Sequence, residues 1–229
     1  MTYSEVQNIA KQAMGYIKQI IKPGMNLIDI RQKCEQKMIE LGADSFWYWG
    51  VGAFCFSGEE TTVSASGRKY KTSDRIILEN DIITMDLSPQ NNQIWGDFAR
   101  TIIVENGQVV EDLNDIHNAE WRRGLQMEDM LHFEMKQFVT KDTTFEELYD
   151  HMNDFIVRRG YLNLDFLGNL GHSIVKDKAD RIYIEKGNHA KLSDAAFFTF
   201  EPHIGVESSA YGYKKENIYY FKDGTLMEL

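Results

Sequence analysis

Covalent cross-linking has little to work with in this 229-residue chain, which has two cysteines, Cys34 and Cys55, and no Cys-x-x-Cys pair. Two thiols are too few for a disulfide framework, so the expected compartment is the reducing cytoplasm. Three prolines and no Ser/Gly-rich tract leave no visible interdomain linker. No apolar run reaches membrane-spanning length, and Met1-Thr2-Tyr3-Ser4-Glu5 opens directly into an amphipathic pattern. The expectation is neither export nor a membrane anchor. Positive charge is also short: 25 Lys and Arg stand against 35 Asp and Glu, a formal charge of -10. No stretch concentrates basic residues with interleaved aromatics, which argues against nucleic acid as a partner. Carboxylates are plentiful, and acidic groups arranged for divalent ions add formal charge that bound metal offsets.

The segment Ser4 to Lys22 repeats apolar residues at helical spacing and breaks at Pro23-Gly24, and a second helical run from Leu27 to Leu41 stops at Gly42. The grammar returns near residue 122, with a run to Val139 and another from Phe145 to Gly160. A shift of 118 positions (145 minus 27) sets Leu27 on Phe145, Ile30 on Leu148, Cys34 on Met152 and Gly42 on Gly160. Any two amphipathic helix pairs can be aligned this way. The duplication gains weight because a β-rich stretch with spaced acidic residues follows each pair. The pattern predicts a pseudo-symmetric α+β domain over residues 1–229, with halves of about 1–115 and 116–229 and strands of both halves sharing one helix-covered antiparallel sheet.

In the first half, Ile82 to Leu87 reads as a strand, Ser88 to Gln93 as a turn and Ile94 to Val104 as the return. A turn centred between Asn91 and Asn92 sets Asp86 opposite Asp97, with Cβ atoms about 4.5 to 5.5 Å apart. Like charges so placed repel, unless two divalent ions about 3.5 to 4 Å apart convert the repulsion into ligation. In the second half, Ala195 to Glu201 reads as a strand, Pro202 to Ala210 as a connection and Tyr211 to Phe221 as the return. A connection centred at Ser208-Ser209 faces Glu201 with Glu216, whereas an asymmetric loop leaves them as solvated edge residues. Between the hairpins, Gly171-His172 offers close backbone approach and a neutral nitrogen ligand, although a lone histidine is more often structural. Four carboxylates and one imidazole carry the charge that two dications neutralise, in a donor set suited to Mn, Fe, Co or Zn.

These residues resemble the pita-bread metallopeptidases: the methionine aminopeptidases, Xaa-Pro aminopeptidases and prolidases. The matching pieces are Ile83-Thr84-Met85-Asp86-Leu87, Gly96-Asp97-Phe98-Ala99-Arg100-Thr101, Gly171-His172-Ser173-Ile174, Thr199-Phe200-Glu201-Pro202 and Lys215-Glu216-Asn217. Asp-x-x-Arg-Thr after the second aspartate is closer to the Xaa-Pro branch. The resemblance implies two divalent ions bridged by Asp97 and Glu216, with Asp86 completing one site and His172 and Glu201 the other. It further implies a bridging water as nucleophile, Glu201 as proton shuttle, and a short peptide or peptide-like substrate whose amino terminus sits beside Asp86.

Three departures concern the substrate. The stretch Thr61-Thr62-Val63-Ser64-Ala65-Ser66 lacks the histidine the family usually carries before the first aspartate. Ala179 and Asp180 stand where a second histidine is expected, and Lys214 replaces an arginine two places before the last glutamate. His203 is the nearest substitute and is expected to donate a hydrogen bond to the reacting carbonyl, with His189 next. The cluster Phe46-Trp47-Tyr48-Trp49, with Phe54 and Phe56, reads either as core or as a specificity pocket. The leading expectation is an aminopeptidase or Xaa-Pro-type peptidase. The alternatives are an inactive protein-binding relative and a hydrolase of a non-peptide C–N bond.

Overall fold

The computed structural model describes residues 1–229. Four helices form where the sequence supplies both an apolar stripe and a cap. Helix α1 (Tyr3–Ile20) starts with a reciprocal Thr2–Glu5 capping box, and α4 (Phe145–Arg158) repeats it with Thr144 and Glu147. Helix α2 (Leu27–Glu40) is capped by Asn26 and α3 (Ala119–Phe138) by Asn118. The 118-residue shift holds at the helix ends: 27 maps to 145, 40 to 158 and 20 to 138. Helix α3 begins three residues before the expected position 122, because Asn118 Oδ1 accepts from the amides of Glu120 and Trp121.

The strands follow in chain order as β1 (Ser45–Phe46), β2 (Ala53–Ser57), β3 (Asp81–Leu87), β4 (Pro89–Asn91), β5 (Ile94–Trp95), β6 (Phe98–Glu105) and β7 (Gln108–Val110). The second half adds β8 (Leu162–Asn163), β9 (Ser173–Ile174), β10 (Phe197–Phe200), β11 (His203–Gly205), β12 (Gly212–Lys214), β13 (Asn217–Lys222) and β14 (Thr225–Glu228). The pairings are antiparallel, but they divide into four hydrogen-bonded groups rather than the single shared sheet expected. The halves meet instead through short links. Glu216 N donates to Ala99 O at 3.0 Å, and Lys214 N donates to the Thr101 hydroxyl at 2.8 Å.

Each helix pair covers its own core. Ile9, Ile17, Leu27 and Ile30 pack with Ile83, Met85 and Leu87, whereas Leu131, Phe145 and Leu148 pack with Phe198, Phe200 and Tyr219. Burying one such side chain is worth about 1.5–3 kcal/mol. Strand alternation does the rest: Ile83, Met85 and Leu87 of β3 face the first core, while Ile82 joins the second and Thr84 and Asp86 line a cleft. On β6 the phase is reversed, Phe98, Ile102 and Val104 facing the first core, so the adjoining Asp97 lies on the cleft side. No helix is long and apolar enough to cross a membrane.

Candidate metal centre

The first hairpin does not have the expected register. Asp86 lies opposite Ala99, and the turn is at Asn92-Gln93, one residue later than the expected centre. Both turn residues have positive φ, 49° and 65°, the signature of a tight two-residue hairpin turn. The shift makes Asp97 the diagonal rather than the direct neighbour of Asp86, still on the same face. Ligand atoms of Asp86, Asp97 and Glu216 all lie within 4.8 Å of one another. Asp97 is held through its backbone: the buried Gln7 side chain on α1 donates to its carbonyl at 2.7 Å and accepts from its amide at 2.9 Å.

In the second hairpin the observed pairs, Phe200 with Asn217 and His203 with Lys214, share the sum 417 expected for Glu201 opposite Glu216. The strand continues past Pro202, so the connection is only Val206–Tyr211 and His203 is a buried strand residue. The ladder is interrupted at the glutamates, where Glu201 N turns to Leu170 O and Glu216 N to Ala99 O. Arg100 reinforces that interruption. Its guanidinium donates to the carbonyls of Ala99 and Glu216 and to Asn217 Oδ1, each at 2.7 Å. The Asp-x-x-Arg-Thr motif is thus a cross-brace between the halves.

His172 reaches the same point from the position just before β9. Its Nε2 is 3.5 Å from both Asp97 Oδ2 and Glu201 Oε1. Nδ1 lies 3.1 Å from Ser173 O, and a carbonyl only accepts, so Nδ1 carries the proton and Nε2 presents its lone pair. Burial, opposed by Glu201, holds the ring below its usual pKa and therefore neutral. Gly171, at φ 144°, lets this loop press on the Thr199 carbonyl, and any Cβ would overlap it. The Thr199 hydroxyl accepts from His172 N at 3.0 Å and donates to Glu201 Oε1 at 3.1 Å, fixing two of the five residues relative to each other.

The electrostatics are those of a centre short of positive charge. Burial first, and then the other carboxylates, push Asp97 and Glu216 well above the usual carboxylate range. Both Glu216 carboxylate oxygens are buried without a hydrogen-bond partner. Such orphaned acceptors, among oxygen donors and one neutral nitrogen, fit divalent ions. Burial opposes the charge on Glu201 too, but Lys214 and His172 outweigh it and its pKa falls below the usual value. Lys214 Nζ lies 2.5 Å from Asp86 Oδ2 and 3.1 Å from Glu201 Oε2. The sequence marks Lys214 only as a replaced arginine and gives no sign of this reach.

The two substitute histidines differ in placement. His203 does line the cleft, but its Nε2 is 2.7 Å from Thr61 O, which must accept. The neutral ring has one N–H and spends it there, and burial lowers its pKa to about 4, so no second donor forms near neutrality. Gly212 makes room for this tie, since a Cβ there would overlap the Thr61 carbonyl. His189 is on the surface, 78% exposed and paired with Glu146 at 2.9 Å. The aromatic cluster divides: Trp47, Tyr48, Phe54 and Phe56 line the cleft, Phe46 packs on the first core, and Trp49 is half exposed against Arg68. Sequence reasoning also missed Arg181, whose guanidinium sits 5.2 Å from the Trp47 ring and 5.5 Å from that of Tyr183 in the cleft wall.

Solved structures share this architecture. Prolidase from Thermococcus sibiricus superposes with a TM-score of 0.81 at 19% identity, over 99% of this chain and 57% of that one. Prolidase from Pyrococcus furiosus gives 0.80 at 19%, over 98% and 61%. X-Pro aminopeptidase from Thermotoga maritima gives 0.79 at 19%, over 97% and 58%. The chain therefore spans about three-fifths of the length of these proteins. Curated protein sequences give no match. Identity this low shows the shared pita-bread fold. The sequence model of Metallopeptidase family M24, by contrast, matches residues 2–223, nearly the full chain, so the protein belongs to metallopeptidase family M24.

Proposed function

We propose that the chain is a metal-dependent exopeptidase that holds two divalent ions, of Mn, Co, Fe or Zn, between Asp86, Asp97, His172, Glu201 and Glu216. The observation that carries this reading is the buried Glu216 carboxylate, whose two oxygens have no partner while Asp86 and Asp97 offer ligand atoms within 4.8 Å. When bound, the ions supply Lewis acidity and lower the pKa of a bound water. Asp97 and Glu216 are the bridging carboxylates in this reading, because both are central, buried and otherwise uncompensated. His172 offers Nε2 with its tautomer set by Ser173. Glu201 is kept ionised by Lys214 and His172 and oriented by Thr199, so it is suited to accept a proton and pass it to the leaving amine.

The cleft supports a short peptide as substrate. Trp47, Tyr48, Phe54 and Phe56 offer an apolar wall, and the Arg181 guanidinium, stacked on Trp47, Tyr48 and Tyr183 and donating to Lys178 O, forms no ion pair there and is suited to a free substrate carboxylate. The related structures are Xaa-Pro aminopeptidases and prolidases, and the same class of substrate is proposed here, acting in a reducing cytoplasm compatible with two free, buried cysteines. His203 is not given the oxyanion role, since its proton is committed to Thr61. The test is a dipeptide and tripeptide library, including Xaa-Pro members, offered to chelator-stripped protein and to the same protein reloaded with Mn²⁺ or Co²⁺. Release of N-terminal residues only after reloading is expected. Reloaded protein that cleaves nothing refutes the peptidase reading.

A further inference from the structure

A metal pair held by four carboxylates and one imidazole leaves Lys214 without a role, yet its ammonium sits among those carboxylates. Its ammonium joins Asp86 of the first half to Glu201 of the second. In the dinuclear reading these two carboxylates serve different ions, so one cation touches a ligand of each. The backbone of Lys214 is fixed, its amide donating to the Thr101 hydroxyl at 2.8 Å and its carbonyl accepting from that hydroxyl at 3.1 Å. The side chain is not fixed in the same way. It is a flexible four-carbon stem lining the cleft, 18% exposed, so the head can leave the carboxylates without moving the strand.

We propose that Lys214 is a built-in counter-cation of the acidic centre, which neutralises Asp86 and Glu201 in the metal-free protein and must be displaced as divalent ions enter. The inference rests on the dinuclear reading. Two costs of loading follow from the geometry: an ammonium a few ångströms from the entering ions repels them, and the Asp86 and Glu201 oxygens must give up charge-assisted hydrogen bonds. Asp86 and Glu201 both lean on this one ammonium, so metal-free protein without it leaves the two carboxylates facing each other across the cleft uncompensated. Removing it therefore has two effects of opposite sign. Metal binds more tightly and the metal-free fold is weakened. A lysine that only packs, or only positions Asp86, loses on both counts when removed.

The experiment is calorimetric titration of chelator-stripped full-length protein with Mn²⁺, with thermal unfolding in EDTA and in Mn²⁺, for the natural chain, Lys214→Met and Lys214→Arg. Lys214→Met is expected to bind Mn²⁺ at least about tenfold more tightly, and to unfold earlier than the natural chain in EDTA but not in Mn²⁺. Lys214→Arg keeps the charge and returns both quantities toward the natural values. Equal or weaker Mn²⁺ binding by Lys214→Met overturns the proposal while leaving the metal reading intact. No Mn²⁺ uptake by any of the three sinks the metal reading and the proposal with it. A measurement on the natural chain alone covers a variant that fails to fold. Amine-reactive labelling read by mass spectrometry should modify Lys214 faster in Mn²⁺ than in EDTA, and an unchanged or slower rate overturns the proposal.

Discussion

Trp95 and Lys214 hold equivalent places in the two hairpins, each two residues before the carboxylate of its return strand, Asp97 in one and Glu216 in the other. Trp95 is buried, with its ring 5.8 Å from His172 and 4.1 Å from Trp47, and packs behind the histidine as fixed apolar support. Lys214 instead reaches the carboxylates. One backbone position, used twice, gives one side of the centre a fixed packing surface and the other an exchangeable charge. The duplication dictates where carboxylates converge. It does not dictate what flanks them, and the two flanking residues differ in kind, one apolar and one charged.

The comparison is broken most severely by removing the two equivalent carboxylates. Asp97→Asn and Glu216→Gln each leave an amide with one weak acceptor in place of a bridging anion, so each should bind fewer than two Mn²⁺ per chain and lose about 10³-fold or more in turnover. Two unchanged equivalents by equilibrium dialysis would remove that residue from the bridging role. Gly171→Ala comes next. It forces a Cβ onto the Thr199 carbonyl and a side chain onto φ 144°, and should cost about 2–4 kcal/mol in denaturant unfolding with Mn²⁺ affinity falling as His172 shifts.

His203 and Ser88 are a second equivalent pair, two residues beyond Glu201 and Asp86, and both donate to a backbone carbonyl: His203 to Thr61, Ser88 to Val51 at 2.5 Å. His203→Ala should therefore cost about 1–3 kcal/mol of stability, with turnover reduced less than about tenfold. A loss of about 10² to 10³ in turnover with stability intact would restore the oxyanion role the sequence suggests. The smallest effect is expected at Glu128, which stands on α3 where the 118-residue shift puts Ala10 on α1. Both Glu128 oxygens are buried without partners, and burial pushes its pKa well above the usual range. A carboxyl raised in the folded state opposes folding increasingly as pH climbs above the ordinary glutamate value, and not below it. Glu128→Gln should thus match the natural chain near pH 4 and exceed it by about 1–2 kcal/mol near pH 7. Parallel stability curves across that range would contradict this.

Much of this was legible in the sequence because it depends on periodicity. The helix pairs repeat at an offset of 118, and the second hairpin has the register that faces Glu201 with Glu216, both set by residue spacing. The first hairpin differs from its expected register by one residue at the turn, because two asparagines favour a left-handed turn at Asn91-Asn92, while the chain places Asn92 and Gln93 there. A glutamine at positive φ carries little local signal. His203 lies in a strand rather than in the expected connection: Pro202 reads as a strand end, yet it sits at the ladder interruption and needs no N–H. The reach of Lys214 and the stance of Arg181 are tertiary facts, since a long side chain can point along several directions from one strand position and spacing does not choose among them.

The central claim is that five residues from both halves form one dinuclear centre. The most direct measurement is anomalous diffraction at the Mn edge from crystals of the Mn²⁺-loaded protein. Two peaks are expected, one among Asp86, Asp97 and Glu216, the other among Asp97, His172, Glu201 and Glu216. Anomalous density absent from this cleft, or ions held only at surface carboxylates, would contradict it.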